Sequence, residues 1–586
     1  MSTLPQFVRE HLSRPREQVL RERADGAWVG ISSAQLQARI DDLAVALRET
    51  TDLNPGDRVA VIGENSVDWL VADWATLTAG FVVVPIFATQ ALDQVGYIVA
   101  HSETKLIFAG NQLLASRLRE GISNSPPIVC FEGDGPGSLR AFEAQGAARR
   151  ASAGIDASSF TASSDPSAMA VLIYTSGTTG NPKGVMLSHN NITSNVTASF
   201  GYGFGDIKSN EVVLSMLPFS HIYEHHMIYG YLRSGVVVAI CHSADELLAD
   251  LRDVHPVFMS CVPRVFERVL AGVQAKARAE GGLRAKLVPW ALETGRRYMR
   301  EKVTGKSPAP GLQLQYKIAH ALVLRKLRPA LGLDRVKFLC SGSAPLHLDV
   351  SLTLAAADIP ITEGYGPTEC SPVLTENRLD TNRYGTVGKP LPNVELRIAE
   401  DGEICVRGPN VMLGYYREPE ATAEVIVDGW YHTGDIGELD ADGYLRITDR
   451  KKEVFKTSTG KFVAPARVEA SLKRSIFFNQ VVVVGNGRSH PVALVAVNWP
   501  LLRDVLMLGA ELDTPALALR PDVRAFLDRE VETHTSDLAK FEQIRHAAIL
   551  PNDLTIEAGE LSPTLKVRRR IVEKRYANII EEIYRN

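Results

Sequence analysis

The segment Tyr174 to Gly184, YTSGTTGNPKG, packs Ser, Thr and Gly into one run and closes it with Lys183. Backbone N–H groups, hydroxyls and an ammonium offered together suit a polyphosphate, so this is a phosphate loop by its chemistry. It is not a Walker A loop: Lys183 precedes its glycine, and Pro182 stands where the helix would begin. Two other segments carry chemistry-bearing residue types. His221, Glu224 and His225 fit H-x-x-E-H, which on a helix would set two histidines and a carboxylate side by side for zinc. That short motif would leave the phosphate loop unused, so zinc hydrolysis is not expected. GYGFG at Gly201 to Gly205 lacks the spacing of a dinucleotide turn and reads as a loop.

Positioning such a loop takes a large α/β framework. The apolar run AVLI lies immediately before it, and short β-branched runs alternate with helical patterns upstream: RVAVIG, VDWLVADWATLTAG, FVVVPIF, ALDQVGYIVAHS, KLIFAG. This alternation predicts βαβ units and parallel sheets covered by helices. Ala141 to Ser167, rich in Ala, Ser and Gly, reads as a surface connection. Beyond Asp449 a basic DRKK turn leads into a smaller unit with QVVVVG, VALVAVN and two helical segments. The expected division is therefore 1–449 and 450–586.

At 586 residues, more than one core is expected. With 45% hydrophobic and 23% charged residues the chain has the composition of a soluble globular protein, and a net charge of -4 gives no general affinity for nucleic acid. Charge is uneven: Arg264 to Lys337 holds 17 Lys and Arg against 5 Asp and Glu. Its GLQLQYKIAHALVLRKLRPAL mixes apolar positions at helical spacing with Lys317, Arg325, Lys326 and Arg328. That pattern reads first as a domain-covering helix with a solvated basic face; the alternative is a helix lying against an anionic membrane surface. The six scattered cysteines read as reduced, mostly buried thiols. The N-terminus has no apolar signal core, and no apolar run approaches the length of a membrane span, so a cytoplasmic location is expected.

The wording of the phosphate loop resembles the adenylate-forming superfamily of acyl-CoA synthetases, peptide-synthetase adenylation domains and firefly luciferase. Further motifs follow in family order. SGSAPL (Ser341 to Leu346) resembles the adenine-side segment, GYGPTE (Gly364 to Glu369) the nucleotide and magnesium segment, and YHTGD (Tyr431 to Asp435) the ribose motif. DRKKEVFKTSTGKFVAP (Asp449 to Pro465) resembles the hinge, and SPTLK (Ser562 to Lys566) the C-terminal lysine loop. The resemblance implies a large adenylation domain of helix-covered sheets and a small mobile α+β domain.

It also implies roles. Thr175, Ser176, Gly177, Thr178, Thr179, Gly180 and Lys183 would hold ATP or AMP, together with Gly342, Ser343, Ala344, Pro345, Gly364, Tyr365, Gly366 and Thr368. Thr178 and Glu369 would hold magnesium, a hard cation that takes oxygen ligands. Asp435 and Arg450 would bind the ribose, and His221 would lie beside the substrate carboxylate. Lys566 would stabilise charge that builds as a carboxylate attacks the α-phosphate. Lys452 would be the hinge, and Thr457, Ser458, Gly460 and Lys461 would come to the coenzyme A thiol arm.

Asp428 to Lys452, KTSTGKFVAP, SPTLKVRRR and the helical insertion from Val262 to Leu331 resemble the long-chain fatty acyl-CoA synthetase branch in particular. The implied substrates are a fatty acid, ATP and coenzyme A. The alternatives are a fatty acyl-AMP ligase serving a carrier protein, an assembly-line adenylation module, and a non-catalytic acyl-nucleotide binding protein.

Overall fold

The computed structural model describes residues 2–161, 165–175, 181–202, 207–243, 245–451, 453–458, 460–508, 513–562 and 566–585. The chain forms two compact units. One comprises Met1–Arg397, Cys405–His432 and Leu439–Arg446; the other comprises Ile398–Ile404, Thr433–Glu438 and Ile447–Asn586.

Two sheets organise the larger unit. In the first, of seven strands, Met169–Thr175, Val82–Ile86, Arg58–Ile62, Thr104–Ala109 and Ile128–Cys130 run parallel. Lys183–Ser188 and Gly414–Tyr415 extend this sheet antiparallel beyond Met169–Thr175. In the second, of nine strands, Ile361–Tyr365, Phe338–Ser341, Phe258–Cys261, Val212–Ser215, Val237–Ile240 and Leu20–Ala24 run parallel. Strands such as Val82–Ile86 are buried along their whole length, which explains runs of apolar residues without alternation. The expected α/β architecture and the upstream βαβ order are both present: helices Val67–Thr78 and Leu92–His101 connect the strands as the pattern indicates.

The reading of Ala141 to Ser167 as a surface connection is corrected. Leu139–Ala153 is a helix, N-capped by Ser138 and ended by Gly154 at φ 63. It lies against helix Ser33–Thr50 so closely that a Cβ at Gly146 would sit 1.7 Å from the Asp42 carbonyl oxygen. Arg39 to Glu143 and Arg150 to Asp42, each at 2.6 Å, fasten the pair. The small residues that suggested a loop are what close helix packing requires.

In the smaller unit Phe478–Val484 pairs antiparallel with Val492–Val497, which pairs parallel with Ala547–Ile549. Val481 and Val483 enter one core and Val482 and Val484 another, as strand alternation dictates. Helices Pro465–Leu472 and Pro521–Thr535 contribute to the first core and Ala577–Arg585 to the second. Among the described residues this unit holds more helices than the two expected, the others being Trp499–Leu506, Thr514–Leu519 and Arg569–Arg575.

Candidate active site

The phosphate-loop segment joins two antiparallel strands, with Thr175 paired to Lys183 across its base. Ser176, Gly177, Thr178, Thr179 and Gly180 lie outside the described residues. At the described base, the Lys183 ammonium is 4.9 Å from the centre of the Tyr415 ring and 3.7 Å from the Glu418 carboxylate. The Tyr415 hydroxyl donates to Glu369 Oε1 at 2.8 Å. Burial, reinforced by the Glu369 carboxylate, pushes the Tyr415 hydroxyl well above its ordinary range and keeps it a donor. Tyr415 therefore touches both the phosphate-loop lysine and the carboxylate expected to serve magnesium. It arrives by sheet pairing, Tyr415 opposite Val185, and the Met412 N–H to Glu369 carbonyl bond at 2.8 Å braces it.

The remaining candidates of this unit gather at the C-terminal ends of parallel strands, where α/β folds place ligand sites. Gly342, Ser343, Ala344 and Pro345 follow strand Phe338–Ser341, with Ser343 in the left-handed region at φ 66. Gly364 and Tyr365 end strand Ile361–Tyr365; Gly366 and Thr368 follow it. A side chain at Gly366 would strike the Pro372 carbonyl at 1.6 Å, so only glycine lets the chain fold back and present Glu369 in the short turn Thr368–Cys370. Under this edge the Glu363 and Glu376 carboxyls are pushed up to about 8, burial being the main cause.

His221 follows strand Val212–Ser215 and caps helix Ile222–Ser234, its Nδ1 accepting from the Tyr223 N–H at 3.1 Å. Because it sits at the cap, it does not share a helical face with His225. Glu224 accepts from Ser215 and, at 2.7 Å, from Ser260; His225 meets Asp73 at 3.0 Å. The H-x-x-E-H residues thus face separate partners. The GYGFG loop lies mostly outside the described residues.

Several positioning residues escaped the sequence reading. Asn65 follows strand Arg58–Ile62 of one sheet. It donates to the Leu217 carbonyl at 2.7 Å and accepts from the Phe219 N–H at 2.9 Å, pinning the segment before His221 from the other sheet. Phe87, at the end of Val82–Ile86, lies 6.3 Å from the His221 ring. Nothing in residue spacing signals these contacts, or those of Tyr415 and Glu418, because only the sheet layout creates them.

The other unit carries the other candidates. Asp435 is 5% exposed and accepts from Arg450 Nε at 2.9 Å. Alongside, the Gly434 N–H donates to Glu403 at 2.9 Å, and Lys451 bonds to Asp401 at 2.6 Å and Glu403 at 2.9 Å, fixing the turn that presents Asp435. Lys452 lies outside the described residues. Directly after it, Glu453 sits 3.7 Å from Arg569, which also pairs with Glu469 at 2.6 Å. Thr457 and Lys461 close the turn between Phe455–Lys456 and Phe462–Val463, each N–H bonding to the other residue at 2.9 and 3.2 Å. Gly460 occupies φ 81, and the Ser458 N–H donates to the Arg488 carbonyl at 2.8 Å. Lys566 is exposed: its N–H donates to Ser562 Oγ at 3.0 Å and its carbonyl accepts from the Ser562 N–H at 2.8 Å.

Comparison with known proteins identifies the family of the chain. Residues 9–416 match the AMP-binding enzyme family and residues 452–586 match the AMP-binding enzyme C-terminal domain. The long-chain-fatty-acid–CoA ligase FadD15 of Mycobacterium bovis is 35% identical over 99% of this chain and 96% of its own. The peroxisomal long chain acyl-CoA synthetase 6 of Arabidopsis thaliana is 32% identical over 90% and 78%. Among solved structures, the adenylation domain of a carboxylate reductase from Mycobacterium chelonae aligns with a TM-score of 0.77 at 24% identity, covering 100% of this chain and 91% of that one. ATP-bound MatB from Rhodopseudomonas palustris aligns at 0.71 and 24% identity, covering 98% and 99%. With a shared fold, near full-length relatives and both family domains matched in order, the chain belongs to the AMP-binding enzymes of the adenylate-forming superfamily.

Proposed function

We propose that this protein is an ATP-dependent long-chain fatty acid–CoA ligase, with residues 1–449 as its adenylation domain and 450–586 as a mobile lid. The observation that carries the reading is the Lys183–Tyr415–Glu369 assembly at the base of the phosphate loop. It sets a cation and a carboxylate on two sides of one ring, as binding a metal-complexed polyphosphate requires. The near full-length likeness to proteins named as long-chain-fatty-acid–CoA ligases supports the acid and the acceptor.

In this reading Thr175 to Gly180 and Lys183 cradle the phosphates, while Gly342 to Pro345, Gly364 to Gly366 and Thr368 line the nucleoside. Asp435 accepts from the ribose hydroxyls, and Arg450, already bonded to Asp435, orients it. The fatty-acid carboxylate, beside His221, attacks the α-phosphorus; its oxygen forms the new bond and pyrophosphate leaves. Lys566 offsets the negative charge that builds in this step. The lid then turns about Lys452, exchanging Lys566 for the Thr457, Ser458, Gly460, Lys461 turn. The coenzyme A thiol loses its proton and attacks the acyl carbonyl, and AMP departs. The oxygen-rich donor set of Glu369 and Thr178 suits magnesium, which when bound would neutralise phosphate charge. We place the enzyme in the cytoplasm, with its basic 264–337 region toward an anionic membrane surface.

The test is AMP and thioester formation across fatty acids of increasing length, with and without coenzyme A. Equal yields of AMP and acyl-CoA, greatest with long acids, support the reading. Pyrophosphate release with no acyl-CoA from any acid rejects it.

A further inference from the structure

Helix Pro310–Leu322, within the basic insertion, presents a surface that nucleotide chemistry does not use. Its rotation is fixed. Leu312 and Ala319 are buried, the Tyr316 ring stacks on Tyr298 at 4.0 Å, and the Tyr316 hydroxyl donates to the Ala356 carbonyl at 3.1 Å. At 3.6 residues per turn the opposite side then carries Leu314, Ile318 and Leu322. These are 60%, 44% and 48% exposed. The outward stripe of a surface helix is ordinarily polar, and three large aliphatic side chains in one row mark a contact surface.

The charge around this row identifies the occupant. From Lys302 to Leu333 the chain has six Lys and Arg (Lys302, Lys306, Lys317, Arg325, Lys326 and Arg328) and no Asp or Glu. Arg328 is spent on the carbonyls of Leu333, Asp334 and Val336. Lys317 rims the row on the helix itself, and Arg325 and Lys326 follow its end; all three are exposed. On the flank, Asp358 is paired with His320 at 2.7 Å. A ridge that is aliphatic at its crest, cationic at its rim and free of acids along the chain complements anionic phospholipid. With 13 residues the helix is about 20 Å long, enough to lie along an interface and too short to span a bilayer. Among the described residues no helix is long and apolar enough to cross a membrane.

We propose that this helix docks the protein on anionic phospholipid bilayers, Leu314, Ile318 and Leu322 entering the acyl boundary while Lys317, Arg325 and Lys326 pair with phosphates. The inference rests on the reading of the basic region as a membrane contact. It deepens that reading by naming the face that enters the lipid. A long-chain acid partitions into the same layer, so the enzyme would stand at its substrate's reservoir.

The test is co-sedimentation of the full chain with vesicles of phosphatidylcholine alone or mixed with phosphatidylglycerol, at low and high salt. The wild type should bind the mixed vesicles at low salt and release at high salt. Leu314→Gln, Ile318→Gln and Leu322→Gln together should lower partitioning at least tenfold. ATP–pyrophosphate exchange with a short, water-soluble acid should stay within twofold, which separates lost docking from lost folding or lost adenylation. Neutralising Lys317, Arg325 and Lys326 to Gln should cost about fivefold per cation and flatten the salt dependence. An environment-sensitive dye on Ile318→Cys should shift to shorter wavelength on mixed vesicles; the six native cysteines are buried or half-buried. Wild-type binding that the apolar variant retains, with no dye shift, would overturn the proposed face while leaving membrane contact standing. No binding at low salt would overturn both. A concentration-dependent dimer abolished by the apolar variant, without vesicle binding, would assign the row to a second copy instead.

Discussion

Glu369 and Lys183 are held by stretches of chain far apart in sequence, whereas Lys566 bonds through its N–H and carbonyl to Ser562, four residues away. Around the first pair Tyr415 supplies a hydroxyl and a ring, and elsewhere in the same unit Asn65 locks the segment before His221 from another sheet. Moving any one of these groups would disturb several strands. The two bonds between Lys566 and Ser562, by contrast, span only four residues of chain. A site for binding ATP profits from the first construction, which is pre-organised and costs no rearrangement. A group needed in one half-reaction and removed for the next suits the second.

The comparison breaks most visibly at Lys566. Lys566→Ala should lower acyl-adenylate formation by about 10²–10³-fold, the scale of losing a charge-stabilising donor, while thermal denaturation shows no change in Tm. A large fall in Tm, or unchanged ATP–pyrophosphate exchange, would contradict a local, purely chemical role.

The interlocked half should respond in stability. Glu224 is fully buried between Ser215 and Ser260, and burial raises its carboxyl to about 7. The folded state therefore holds this proton more tightly than the unfolded chain, whose carboxyl titrates near 4.5. Stability is fully present below pH about 4.5 and declines as pH rises to about 7, by at most about 3 kcal/mol. Glu224→Gln should remove this decline. Its stability relative to wild type, measured by urea unfolding, should improve between pH 4.5 and 7 and then level off. A pH-independent difference would contradict the assignment.

Asn65→Ala comes next, since it leaves the Leu217 carbonyl and the Phe219 N–H without their partner. About 2 kcal/mol of stability should be lost, visible in the urea midpoint. The smallest effect should follow Tyr415→Phe, which keeps the ring beneath Lys183 and deletes the hydrogen bond to Glu369. Adenylation should fall about tenfold with little change in Tm. An equal effect from Tyr415→Leu would show that the ring contributes nothing.

Much of this was legible in the sequence. Runs such as RVAVIG and FVVVPIF became buried parallel strands because burial on both faces demands continuous β-branched residues. The phosphate loop was marked by residue types that chemistry restricts, and the SGSAPL, GYGPTE and SPTLK segments by their resemblance to a known family. What stayed hidden depends on tertiary placement. Tyr415 reaches Glu369 from a two-residue strand whose position is set only by its pairing with Val185. Asn65 looks like any loop asparagine until two sheets meet there. Helix Leu139–Ala153 was mistaken for a connection because the Ala and Gly that let helices approach also populate loops. His221 sits within a zinc-like motif, yet a helix start separates it from Glu224 and His225.

The most direct test of the account is a two-stage single turnover. Enzyme at stoichiometric concentration is mixed with ATP, magnesium and a long-chain fatty acid without coenzyme A, and coenzyme A is added afterwards. The account predicts close to one equivalent of pyrophosphate and enzyme-bound acyl-adenylate in the first stage, converted to acyl-CoA and AMP in the second. Release of ADP and phosphate, or no pyrophosphate until coenzyme A is present, would contradict it.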